Sequence, residues 1–81
     1  MGMKTKTLKV LDNLSERGLT QISLLKLKVE FINQTNIGRG EFKAYARYMI
    51  DSGLIQNTGG EFYQINHELR LNLKEEQPCP K

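Results

Sequence analysis

Asn36-Ile37-Gly38-Arg39-Gly40-Glu41-Phe42-Lys43-Ala44-Tyr45-Ala46-Arg47-Tyr48-Met49-Ile50-Asp51-Ser52-Gly53-Leu54-Ile55 is the stretch on which the fold turns. Phe42, Tyr45, Ala46, Met49 and Ile50 recur at helical spacing, which predicts an amphipathic helix from Arg39 to about Asp51. Ahead of it, Thr35-Asn36-Ile37-Gly38 reads as a turn, because Asn and Gly tolerate the backbone angles of a tight change of direction. With Gly38 as N-cap, Glu41 falls at N3 and supplies half of a capping box, while Ile37 and Phe42 are placed as a hydrophobic staple. Gly53, directly after Ser52, is the left-handed residue expected to end the helix.

Upstream, Leu8, Leu11 and Leu14, with Val10 beside them, predict a first helix over 7–17 that stops at Gly18. Residues 21–33 carry two patterns at once. Ile22, Leu25, Val29 and Ile32 share one helical face, with Thr20 placed as N-cap. Leu25, Leu27, Val29 and Phe31 also alternate with Lys26, Lys28 and Glu30, as in a strand. Length and the lack of internal Gly or Pro favour helix, with strand the alternative for 24–32. On the helical reading Leu24, Leu27 and Phe31 form a second apolar set opposite the first. One small domain has difficulty burying both, so the second set is expected in a homodimer interface completed by Leu69 and Leu73.

Downstream, Leu54-Ile55 opens a strand, Thr58-Gly59-Gly60 turns it, and Phe62-Tyr63-Gln64-Ile65 returns. One register buries Phe62 and the other buries Tyr63 with Ile65; alternation prefers the second, which leaves Gln64 outward. Leu69 and Leu73 suggest a short last helix over 67–74, and 75–81 is a polar, Pro-containing tail expected to be disordered. Residues 1–6 read as a basic arm without pattern, with Met1-Gly2 as an expression scar.

The order helix, helix, turn, helix, hairpin predicts a mostly α fold with a small β-hairpin, a winged helix-turn-helix over 7–66. It has a three-helix core, a wing and a short C-terminal helix. Over about 20–66 the chain resembles the small winged-helix DNA-binding proteins of archaea, and more distantly the PadR-type regulators. The residues that carry this are Asn36-Ile37-Gly38-Arg39, Phe42, Tyr45, Met49, Gly53-Leu54-Ile55, Gly59-Gly60 and Tyr63-Gln64-Ile65. The resemblance implies a chromatin-associated or regulator-like protein. The sequence departs from that pattern where Gly38 replaces a Ser or Thr cap. It departs again in the wing, Gln56-Asn57-Thr58-Gly59-Gly60-Glu61, which has no Lys or Arg. Residues 66–76 are also too short for the long dimerising helix many relatives carry.

Eighty-one residues make one domain, and 38% hydrophobic with 26% charged residues is ordinary for a soluble one. No apolar run approaches the ~20 residues of a membrane span, and no charged region leads into an apolar one as in a signal peptide. A cytoplasmic, nucleoid-associated protein is expected. Cys79 is the only cysteine and His67 the only histidine, so no disulfide, metal cluster, catalytic triad or cofactor is expected, and the chain is not read as an enzyme. The net charge of +3 is unevenly spread. Residues 1–50 hold nine Lys/Arg against four acids, and 51–81 hold three against five. An anionic partner would dock on the first part.

Arg39, Lys43 and Arg47, at i, i+4 and i+8, form the candidate DNA-binding row, with the small Gly40 and Ala44 beside it to let a groove come close. Tyr48 projects near this surface or packs inward. Lys4 and Lys6, with Lys9, are candidate arm contacts to phosphate, while Lys26 and Lys28 read as solvated. The expected function is double-stranded DNA binding by a small transcription regulator or architectural protein. The alternative is a winged-helix protein–protein interaction module of a replication or transcription assembly.

Overall fold

The structure, a computed structural model, describes residues 2–75. In chain order they form α1 (Met3–Glu16), β1 (Gln21–Ser23), α2 (Leu24–Thr35), α3 (Phe42–Ser52), β2 (Ile55–Gly59), β3 (Phe62–Ile65) and α4 (His67–Glu75). The described residues are thus mostly helical, with one small antiparallel sheet in the order β1-β3-β2. The tail expected from 75 onward, Cys79 included, lies outside the described residues except for Glu75, where α4 ends.

The main departure from the sequence reading is at residues 21–23. They are a strand and not the start of a helix: Gln21, Ile22 and Ser23 pair with Gln64, Tyr63 and Phe62 of β3. Ser23, not Thr20, caps α2, its hydroxyl oxygen accepting the Lys26 N–H at 3.2 Å. Residues 24–32 are helix, so the strand alternative for them is set aside.

That shift changes which side of α2 faces inward. Leu27 and Phe31 are fully buried, and Leu24 packs partly against the same core. Leu25 is 74% and Val29 49% exposed. The expected dimer surface of Leu24, Leu27 and Phe31 is therefore the core side. Ile22 misled the pattern, because its burial comes from β1 and carries no information about helical phase. Leu69 and Leu73, the other expected interface residues, also pack partly against the core.

Phe31 centres an aromatic group that fixes α2 on α3. Its ring meets Phe42 edge-on at 5.6 Å and Tyr45 at 5.3 Å, 48° between planes. Before α3 the Gly38 N–H donates to Glu41 Oε1 at 2.9 Å, the bond expected of the capping-box half, but it closes the preceding turn instead of the first turn of the helix. The regular helix starts later than expected, with Glu41 as its N-cap, so residues 39–41 are a turn. Ile37 and Phe42 are both buried in the core, but with Glu41 as N-cap they do not stand at the N′ and N4 positions of the expected staple. Gly53 ends the helix at φ 85°, a conformation that would strain any side chain. In the hairpin, Ile65 is buried, Tyr63 half-buried and Phe62 exposed, the preferred one of the two registers.

Two polar clamps hold the helices together. Arg17, just past α1, pairs with Glu30 of α2 at 2.8 Å, and Gln34 donates to Glu30 Oε1 at 2.8 Å and to Asn13 Oδ1 at 3.1 Å. The Arg17 hydrogen bond, helped by Gln34 and the nearby positive charge, holds the Glu30 carboxyl below its ordinary value of 4.5 against the opposing effect of burial. A carboxyl whose folded pKa is lowered stabilises the fold above its unfolded pKa, and this contribution fades as pH falls through the folded value. Glu30→Gln is therefore expected to cost at most about 1 kcal/mol at neutral pH, since the Arg17 side chain is 45% exposed. Melting curves of the two proteins should converge below pH 4.5.

The second clamp was not visible in the sequence. Arg70 of α4 is buried; its Nη1 pairs with Asp12 Oδ1 of α1 and its Nη2 donates to Ser15 Oγ at 3.3 Å. Asn66 caps α4 by accepting the Leu69 N–H at 2.9 Å. Among the described residues no helix is long and apolar enough to cross a membrane.

Candidate nucleic-acid interface

Phe42, Tyr45, Ala46 and Met49 turn one side of α3 into the core, and helical geometry then sends Lys43, Ala44 and Arg47 outward. Together with Gly40, Ile50 and Asp51 they form one shallow, open surface along the helix. Ala44 and Gly40 are exposed, and no heavy atom lies within 4 Å of where a Cβ on Gly40 would stand, so an approaching surface meets little steric resistance there. Arg47 leans toward Asp51 at 3.9 Å, with the two side chains 85% and 72% exposed. A pair so open to water is worth little and is readily exchanged for another anion.

The expected row is not continuous. Arg39 stands in the turn before α3, and it borders a separate depression with Leu25, Lys28, Val29, Ile32 and Asn33. Its i, i+4 relation to Lys43 assumed a helix that has not yet begun at residue 39. Tyr48 is half-buried and packs against the core, the inward of its two readings. Lys4 and Lys6 stand on the first turns of α1 and are half-buried, while Lys9 is exposed. The arm expected over 1–6 is thus helical from Met3 onward. Lys26 is exposed and Lys28 half-buried on α2. His67 begins α4 as expected, but is half-buried with its Nδ1 enclosed.

The hairpin tip is organised by Asn57, which the sequence reading passed over. Its Nδ2 donates to the Gly60 and Phe62 carbonyls, each at 3.2 Å, and its Oδ1 accepts the Gly59 N–H at 3.2 Å. The pairing register shifts between Asn57 and Gly59, as at a β-bulge, which bends the strand into the tip. The signal was present, since an Asn followed by Thr-Gly-Gly is a side-chain-closed turn. The polar atoms of Asn57 therefore hold the hairpin's own turn. Positive charge along the outer side of α3 comes from Lys43 and Arg47, and the hairpin residues 55–65 hold no Lys or Arg.

Among the described residues no group of three His, Cys, Asp or Glu side chains gathers as metal ligands would. The chain matches no protein-family model, no curated protein and no solved structure.

Proposed function

We propose that this chain is a winged helix-turn-helix protein that binds double-stranded DNA, with α3 entering the major groove, and serves as a small transcription regulator or architectural protein. The element order supports the fold reading: helix, strand, two helices joined by a short turn, then a hairpin whose return strand is the middle of the sheet. The observation that carries the function is the open outer surface of α3, on which Lys43 and Arg47 stand beside the small Gly40 and Ala44, with Ile50 and Asp51 next to them. Lys43 neutralises phosphate as a point charge, and Arg47, on leaving Asp51, can pair with a guanine edge or a second phosphate. The small residues beside them let the helix backbone come close to the base pairs. No catalysis and no cofactor belong to this reading. The homodimer reading would use α4, where Leu71 is exposed beside the partly covered Leu69 and Leu73.

Binding to random-sequence duplex DNA at several salt concentrations tests the proposal. Lys43→Ala and Arg47→Ala are each expected to lower the salt slope of log affinity by about 0.9. If Arg47 reads a guanine, its loss should also cost about 1–3 kcal/mol and relax the preferred sequence. Melting should move by no more than the equivalent of about 0.5 kcal/mol, because both side chains are exposed. Variants that bind DNA as the parent protein does would remove α3 as the reader and leave the protein-interaction module as the reading.

A further inference from the structure

We propose that the outer side of α2 docks an acidic amphipathic helix from another protein. Leu25 and Val29, one helical turn apart, are the exposed apolar residues of α2, and the half-buried Ile32 continues their stripe. With Lys28, Asn33 and Arg39 these three line an open depression of about 360 Å³. A leucine exposed to 74% gains nothing for the monomer, whereas burying such a side chain against a partner is favourable.

Charge decides the occupant. Lys26, Lys28 and Arg39 surround the stripe, and Lys28 and Arg39 form no ion pair among the described residues. The single acid of α2, Glu30, is engaged by Arg17 and Gln34, with Lys26 also near it. A second copy laid on this face by a two-fold axis would set these three cations against their own counterparts, which is repulsive. A helix with leucines at i and i+4 flanked by glutamates meets both features, its apolar row against Leu25 and Val29 and its carboxylates toward the cationic rim. This site is separate from the α3 surface, so it stands whether or not α3 reads DNA.

The test uses the whole protein and two synthetic helical peptides, one with paired leucines flanked by glutamates and the other with lysines in place of the glutamates. Calorimetric titration should show the acidic peptide binding and the basic one failing to bind. Leu25→Asp and Val29→Asp should each weaken the acidic peptide about tenfold or more, equivalent to about 1.4 kcal/mol, with DNA binding measured alongside and unchanged. The double reversal Lys26→Glu with Lys28→Glu should weaken the acidic peptide and let the basic one bind, a result that non-specific apolar adhesion does not give. Melting curves of the same variants report that each is folded. Equal binding of both peptides, or of neither, overturns the proposal. So does self-association of the parent protein that Leu25→Asp abolishes, or loss of duplex binding in the double reversal without any peptide binding.

Discussion

Phe31→Ala is expected to destabilise the protein by about 3–5 kcal/mol, the usual cost of emptying a fully buried aromatic site. The ring contacts Phe42 and Tyr45, so its loss removes burial and two aromatic contacts, and leaves a cavity where α2 crosses α3. For a chain of 81 residues the whole stability is of order 4–12 kcal/mol, so the variant should melt about 12 °C lower or more and sit close to unfolding. Leu25→Ala, on the opposite side of the same helix, should change stability by no more than about 0.5 kcal/mol. The pair of melts determines which side of α2 is core. Equal effects would mean that α2 is rotated from the orientation described.

Arg70→Ala is the second large effect, expected near 2–3 kcal/mol. It deletes the pair with Asp12, the bond to Ser15 and the packing of the arginine stem between α4 and α1. The cost stays below that of breaking a wholly buried pair because the Asp12 side chain keeps 27% of its exposure. Arg70→Met, which retains the stem, should recover part of the loss. Arg47→Ala removes an i,i+4 pair at the surface and should leave melting within about 0.5 kcal/mol. Denaturant titrations of the three variants give the comparison directly. An Arg70→Ala protein as stable as its parent would mean that α4 is not held on α1 by this residue.

The body of α1 from Thr7, the body of α3 from Phe42, α4 and the hairpin were legible because each is marked by local signals: a 3.6-residue apolar period, a glycine past the helix end, or a Gly-Gly turn between β-prone runs. The inward side of α3 follows from Phe42, Tyr45 and Met49 for the same reason. β1 was not legible. Three residues are too few to show a period of two, and Gln21–Ser23 become a strand only through β3, far along the chain. Counting Ile22 into α2 then reversed the apparent core side of that helix. In the candidate site, Lys43 and Arg47 were legible from helical spacing, whereas Arg39 was not separable from them until the true start of α3 was known. Arg70 gave no sequence signal at all, since its partners Asp12 and Ser15 lie on a distant helix.

The sheet order β1-β3-β2 has a consequence for how the molecule is made. Its middle strand is the last of the three to be synthesised, and Gln21 waits for Gln64 before it has a backbone neighbour. As the chain emerges from the ribosome, the Phe31 ring group can assemble, and β2 and β3 can close as a local hairpin. The edge at residues 21–23 gains its rungs only when that hairpin swings in and Ile65 N–H reaches the Thr20 carbonyl. Closure of the sheet is then the late, high-contact-order step of folding. Hydrogen–deuterium exchange begun at short refolding times should find the Ile65 amide still unprotected after the amides of α3 have become protected.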